Sequence, residues 1–146
     1  MPWKVVGASA TGKSHLDEGS PCQDAFAYAK DGERRVLLVS DGAGTAAHGS
    51  LGARHGVDAL AAACRSLLAG GETRAVPWRA ALIAAITEAR AQLAALAAAK
   101  ATTLADHHAT LVGALAWPGG GVLLHVGAGA AVAVCGGTTT ISRPEN

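Results

Sequence analysis

Charged and aromatic side chains are both scarce in this sequence of 146 residues. Only 16 % of the residues are charged and 3 % are aromatic, and the net charge is +1. Domains that bind nucleic acid usually have a strongly basic surface, and a net charge so close to zero does not indicate one. We therefore expect no nucleic-acid partner. Intrinsic disorder is excluded as well, because it requires low hydrophobicity and high net charge, and 50 % of this chain is hydrophobic. We therefore expect one globular domain over residues 1–146.

Paired cysteines and an export signal are also missing. Cys22, Cys64 and Cys135 are odd in number, lie far apart and form no CxxC pair. They are predicted to be reduced thiols, which indicates a cytoplasmic protein. The N-terminus lacks the apolar stretch of a secretory signal. No membrane partner is expected either, because Pro118 and several glycines interrupt the uncharged stretch 107–142.

The hydrophobic pattern predicts three strands, then two long helices, then four strands. Short apolar runs predict the first strands at residues 5–9, 25–29 and 35–40, with a polar loop over 11–23. Helical spacing predicts helices over about 46–68 and 77–99, the second opened by Pro77. Four further runs predict a meander with strands at 110–117, 122–126, 130–135 and 138–142. This order favours an α+β fold with an antiparallel sheet and helices on one face.

Some conspicuous side chains are interpreted as structural. Cys22 is predicted to be a small buried side chain. His107 and His108, in the polar link before the meander, are interpreted as a solvated pair. Core or helix-start packing is the predicted role of Trp3, Trp78 and Trp117.

The most informative residues stand at the ends of two predicted strands. Gln23 and Asp24 precede one strand, and Asp41 and Gly42 follow another. A carboxylate at a strand end, with glycine beside it, leaves a side chain and a backbone carbonyl open to a hard cation. Two such points at adjacent strand ends would flank a divalent metal ion. The alternative is an ordinary turn, since Asp-Gly is a common turn dipeptide.

Five short motifs occur in an order that resembles a known family. They are GKSH (12–15), GSPCQDA (19–25), VSDGAGTAAH (39–48), ATL (109–111) and HVGAGA (125–130). The series resembles the metal-dependent phosphatases of protein phosphatase 2C type, specifically a bacterial branch with a G-x-SH…G-x-PCQDA opening. The resemblance covers essentially the whole chain and implies an αββα sandwich.

The resemblance also implies a catalytic site with two magnesium or manganese ions bridged by a water molecule. Asp41 matches the aspartate that bridges both ions, Gly42 the residue that offers its carbonyl, and Asp24 the acidic residue at the edge of the cluster. The implied reaction is hydrolysis of phosphoserine or phosphothreonine esters, in which the cations lower the pKa of the water and offset phosphoryl charge. The implied partners are a phosphorylated protein substrate and a serine/threonine kinase.

Three departures from the family pattern bear on activity. Gly19 stands where relatives often have a phosphate-gripping arginine, and Lys13 or His15 is the candidate replacement. Ala128 stands where relatives have an aspartate, and alanine has no oxygen to offer a further metal ion. The family's later metal-binding aspartates have no counterpart up to Asn146, so the sandwich is expected to be incomplete at its C-terminus. We therefore expect weak or no phosphatase activity from this chain alone.

Two other functions stay open. A pseudophosphatase remnant, which binds a phosphoprotein or kinase without hydrolysing it, is favoured by Ala128. Nucleotide binding by the loop from Asp41 to Gly52 is the other, although the G-x-G-x-x-G pattern is not met there. An incomplete sandwich would also leave apolar strand edges uncovered, and self-association through them is expected.

Overall fold

Residues 3–143 are described by a computed structural model. In chain order they form α1 (Lys13–Glu18), β1 (Asp24–Asp31), β2 (Arg34–Asp41), α2 (Gly49–Ala69), α3 (Ala75–Ala99), a 3₁₀ helix (Leu104–His107), β3 (Leu111–Trp117), β4 (Gly120–Val126), β5 (Val132–Cys135) and β6 (Thr138–Ile141). Strands β1 to β4 form an antiparallel sheet in the order β1-β2-β3-β4, and β5 pairs with β6 in a separate antiparallel hairpin. The expected α+β class with an antiparallel sheet is confirmed.

A two-residue turn sets the register of β1 against β2. The turn consists of Gly32 and Glu33, so Asp31 faces Arg34 beside it. Every later pair follows from that first one, because a short turn leaves no freedom to slip. At the open end of the hairpin, Asp24 consequently faces Asp41.

Helices α2 and α3 cover one face of the four-stranded sheet. Alternate residues of β2 are buried on that face, namely Val36, Leu38 and Ser40. The core there joins β2 and β3 to the apolar side of α2 and the first turns of α3. Trp78 of α3 stacks on Trp117 of β3, with ring centroids 6.2 Å apart and planes 14° apart. Both tryptophans therefore pack as the sequence predicts.

The opposite face of the sheet is apolar and open. Phe26 and Tyr28 of β1 and Leu37 and Val39 of β2 are 38–59 % exposed. The N-terminal segment touches this face at Gly7, where an added Cβ would stand 3.0 Å from the Phe26 ring. Among residues 3–143 the second sheet is the hairpin β5–β6. The αββα sandwich stays a prediction.

Three predicted elements are wrong. Residues 5–9 form no strand, since no described strand pairs with them and an unpaired run lacks ladder hydrogen bonds. The loop predicted over 11–23 contains α1, which ends at Gly19 in the left-handed conformation (φ 67°). The meander is broken between β4 and β5, where Gly127 and Gly129 have φ values of 78° and 121° and turn the chain away from the sheet.

Three side-chain interpretations are also wrong. Trp3 is 58 % exposed, and residues 3–12 around it belong to no helix or strand. His107 is only 2 % exposed, because the 3₁₀ helix turns it inward. Its ring stacks on His48 with centroids 5.1 Å apart, and its Nε2 lies 3.2 Å from Thr102 Oγ1. Cys22, predicted to be buried, is half-buried.

Helix α3 is long and apolar enough to cross a membrane by length and composition. The core helix of a soluble protein passes the same test. In this chain α3 packs against α2 and the 3₁₀ helix, and Glu88 and Arg90 lie near its middle. Charged side chains are costly at the middle of a bilayer, which agrees with the expectation of no membrane partner. That expectation stays a prediction.

Candidate metal centre

The β1–β2 hairpin brings two carboxylates together. Asp24 and Asp41 are directly opposite each other in the ladder, so their side chains lie on the same face of the sheet. That face is the open one, and both residues are exposed. The contact between the strands continues one step further, where the Gly42 N–H donates to the Gln23 carbonyl oxygen at 3.2 Å. The two strand ends are therefore adjacent, as the sequence predicts.

The pair is electrostatically unfavourable without a counterion. Partial burial raises the pKa of Asp41 above its ordinary value, and the negative charge of Asp24 and a hydrogen bond with Asp24 raise it further. The charge of His15 acts in the opposite direction and lowers the pKa of Asp41. A cation between the two aspartates would remove the repulsion that raises this pKa.

Asp41 is held firmly through its backbone. Its N–H donates to Thr110 Oγ1 at 3.0 Å, and its carbonyl oxygen accepts from the Thr110 N–H at 2.8 Å. The Ser40 hydroxyl donates to the Thr110 carbonyl oxygen. Sequence reasoning included Thr110 in a family motif but gave it no role. The structure assigns it the role of fixing Asp41 at the end of β2.

Close packing explains why position 42 is occupied by glycine. An added Cβ would stand 2.4 Å from the carbonyl carbon of Gly49 and 2.9 Å from the Gln23 carbonyl oxygen. Only glycine therefore lets the first turn of α2 approach the end of β2 this closely. The role of the Gly42 carbonyl as a metal ligand stays a prediction.

The two candidate phosphate-binding residues differ in their surroundings. His15 is half-buried in α1, and its Nδ1 lies 2.8 Å from Ser20 Oγ. Lys13 makes an ion pair with Asp17 at 2.6 Å on the exposed side of the same helix. Of the two, His15 alone affects the pKa of Asp41. The role of either residue in binding phosphate stays a prediction.

A cavity of about 390 Å³ opens beside the carboxylates. Asp24, Asp41 and Ala128 all line it, so the turn at 127–129 lies at the same site. Ser9 lines it too, with its Oγ 3.4 Å from Asp24 Oδ2 and 3.2 Å from Cys22 Sγ. Sequence reasoning missed Ser9, because residues 5–9 read as a strand and no motif marked them.

The donor atoms around Asp24 and Asp41 are of the kind that a hard cation prefers, but they are few. Hard divalent cations prefer carboxylate and carbonyl oxygens, which Asp24 and Asp41 provide. The Gln23 Oε1 atom is a further oxygen, buried and without a hydrogen-bond partner in residues 3–143. Over the same range, no three His, Cys, Asp or Glu side chains cluster as a metal site. The residues present therefore provide fewer donor atoms than a complete metal site needs.

Comparison with known proteins supports the family resemblance that the order of the motifs indicates. The family "Protein phosphatase 2C" matches residues 11–146. The chain is 31 % identical over 137 residues to serine/threonine-protein phosphatase 3 of Escherichia coli (strain K12). This alignment covers 90 % of the chain but 53 % of that protein, so the chain spans about half the length of this relative. No solved structure matches the chain significantly.

Proposed function

Because the chain belongs to the protein phosphatase 2C family, we propose that it is a metal-dependent serine/threonine phosphatase-like domain acting on phosphoserine and phosphothreonine esters. The observation that carries the proposal is the pairing of Asp24 with Asp41 at the open end of the β1–β2 hairpin. Two facing carboxylates, with the pKa of Asp41 raised above its ordinary value, are an arrangement that a divalent cation stabilises.

In this proposal each residue has a defined task. Asp24 and Asp41 hold the magnesium or manganese ions, with Gly42 contributing its carbonyl. Bound ions of this kind supply a water of lowered pKa and offset the charge of phosphoryl oxygens. Thr110 keeps Asp41 in place through its two hydrogen bonds to the Asp41 backbone. His15 provides positive charge near the carboxylates, where a substrate phosphate carries negative charge.

The activity of this chain alone is proposed to be weak or absent. A two-ion site needs several charged oxygen ligands to offset the desolvation of the cations, and the cavity provides two carboxylates. Ala128 lines the same cavity and contributes no oxygen. This observation also favours the second candidate, a pseudophosphatase that binds a phosphoprotein or kinase without hydrolysis. The proposed location is the cytoplasm.

Manganese titration by calorimetry tests the metal centre. We expect the chain to bind Mn²⁺ and Asp41→Asn to abolish binding, while Asp58→Asn, an exposed site on α2, leaves it unchanged. Absence of Mn²⁺ binding by the unmodified chain would overturn the metal centre and leave the pseudophosphatase. Manganese-dependent turnover of an aryl phosphate that disappears in Asp41→Ala would contradict the expectation of weak activity.

A further inference from the structure

A second cavity lies on the helical side of the sheet, away from the exposed face that carries Asp24 and Asp41. Its volume is about 300 Å³, and it is bounded by α2, α3, the 3₁₀ helix and the ends of β3 and β4. Its walls are mainly aliphatic and include Leu60, Ile86, Leu93, Leu104 and Val126. The size lies at the lower end of the range for small-molecule sites, and apolar walls with few polar groups are typical of them.

One cationic side chain, Arg90 of α3, belongs to the lining of this aliphatic cavity. Arg90 is exposed and forms no ion pair with any residue between 3 and 143. His107 also lines the cavity, and its buried Nδ1 has no hydrogen-bond partner in that range. Buried polar atoms normally have partners. The cavity therefore combines an apolar body, an unpaired positive charge and an unsatisfied imidazole nitrogen.

The cavity is also directly behind the candidate metal centre. Ser40 and Thr110 line it, and these two residues hold the end of β2 in place. Because side chains alternate along a strand, Ser40 faces the helices while Asp41 faces the open side. An occupant of the cavity would thus touch Ser40 and Thr110, which also line the cavity beside Asp24 and Asp41, while Asp24 and Asp41 themselves do not line it.

We propose that this cavity binds a small carboxylic acid with an aliphatic chain. The carboxylate pairs with Arg90, and the chain fills the space between α2 and α3. A single guanidinium matches a monoanion, and it binds carboxylate oxygens through charge-assisted hydrogen bonds. A strongly polar ligand such as free phosphate does not match, because the mainly aliphatic walls offer few partners for its remaining oxygens. This inference does not depend on phosphatase activity.

Octanoate and 1-octanol are matched probes for this site, because both have eight carbons and differ in the charged head group. Calorimetric titration is expected to show one octanoate per chain, bound more tightly than 1-octanol. Arg90→Gln is expected to weaken octanoate binding about tenfold, the effect of removing one hydrogen-bonded charge. Arg79→Gln, on an exposed position of the same helix outside the cavity, is the control and should bind octanoate normally.

Two filling variants locate the bound octanoate. Gly56→Leu places a side chain from α2 into the cavity, and Leu93→Trp places a larger ring from a half-buried position on α3. With folding verified by circular dichroism, both are expected to abolish octanoate binding. Binding that persists in whichever variant folds would place octanoate outside this cavity and overturn the proposal. The proposal also fails if octanoate does not bind, or if Arg90→Gln binds it as tightly as the unmodified chain.

Discussion

At the residue scale, the candidate metal site depends on the contacts that surround Asp41. Partial burial and then Asp24 on the neighbouring strand raise the pKa of the Asp41 carboxyl, and His15 on α1 lowers it. Thr110, the residue before β3, holds the Asp41 backbone through both the Asp41 N–H and the Asp41 carbonyl. Four segments of the chain therefore meet at Asp41, and the contribution of each contact can be tested by a single substitution.

Asp41→Asn is expected to raise the midpoint of thermal unfolding at pH 7 in the absence of metal. The pKa of Asp41 is higher in the folded chain than its ordinary value of 3.8, so the ionised carboxylate destabilises the fold. Its contribution to stability is most favourable below pH 3.8 and is lost as the pH rises through the folded-state pKa. The gain from Asp41→Asn should therefore shrink as the pH falls and vanish below about pH 3.8.

Thermal unfolding from pH 3 to 7, measured by circular dichroism, checks this prediction. Asp58→Asn on α2 is the control, because the same chemical change there removes no facing carboxylate. A lower unfolding midpoint for Asp41→Asn at pH 7, or a difference that does not change with pH, would contradict the assigned repulsion.

Ala128→Asp is expected to raise the affinity for Mn²⁺ by about tenfold, because it adds a third carboxylate to the cavity that Asp24 and Asp41 line. Titration calorimetry of the unmodified and substituted chains measures the change. Ala133→Asp on the exposed hairpin strand β5 adds the same charge outside the cavity and is the control. An equal gain from both substitutions would indicate a general charge effect instead of a metal ligand.

At the element scale, the start of α2 connects the end of β2, where Asp41 lies, to the helical layer. Small residues let this helix approach two other segments, since Gly49 packs on Gly42 and Gly52 packs on the 3₁₀ helix. An added Cβ on Gly52 would stand 2.0 Å from the His107 carbonyl oxygen. The helix thus contacts both the end of β2 and the 3₁₀ helix that leads into β3.

Gly52→Ala is expected to lower the free energy of unfolding by about 1–3 kcal/mol, the usual cost of overpacking. Gly56→Ala is the matched control in the same helix. The nearest atom to its added Cβ is Leu111 Cδ1 at 3.9 Å, an ordinary contact. Without a clash, alanine is expected to stabilise the helix by about 0.5–1 kcal/mol. Urea denaturation measures both, and equal effects of the two substitutions would refute the close approach at Gly52.

At the scale of the whole molecule, residues 3–143 leave much apolar surface uncovered. The open face of the four-stranded sheet exposes Phe26 and Val39, and the hairpin β5–β6 exposes Val132, Val134 and Ile141. The outer edges of β1 and β4 are also unpaired within the described range. Exposed apolar faces and unpaired strand edges favour association between copies of a chain.

Self-association of this chain is therefore expected to increase with concentration in sedimentation velocity under reducing conditions. Val134→Lys should weaken association, because its side chain shares the apolar face of the hairpin with Val132 and Ile141. Ala133→Lys adds the same charge to the opposite face and should have a smaller effect. A sharp monomer boundary at high concentration, or equal effects of the two substitutions, would contradict association through this face.

Much of the fold could be predicted from local sequence signals. The Gly136-Gly137 turn indicates a hairpin, and both glycines have positive φ in the structure. The turn at Gly32 and Glu33 also implies that Asp24 faces Asp41, because the register can be counted back from a two-residue turn. The burial of His107 could not be predicted, because it depends on stacking with His48, more than fifty positions earlier in the chain.

The sequence by itself determined the family and the α+β class, and it marked Asp24 and Asp41 as candidate metal ligands. These features depend on motif order, periodicity and turn residues, which are local signals. The tertiary structure alone decided which of these parts meet. It placed Ala128 in the same cavity as the aspartates, Thr110 on the Asp41 backbone, and Arg90 beside an aliphatic cavity behind them. Such contacts join residues distant in sequence, so they form only when strands and helices pack, and no local pattern records them.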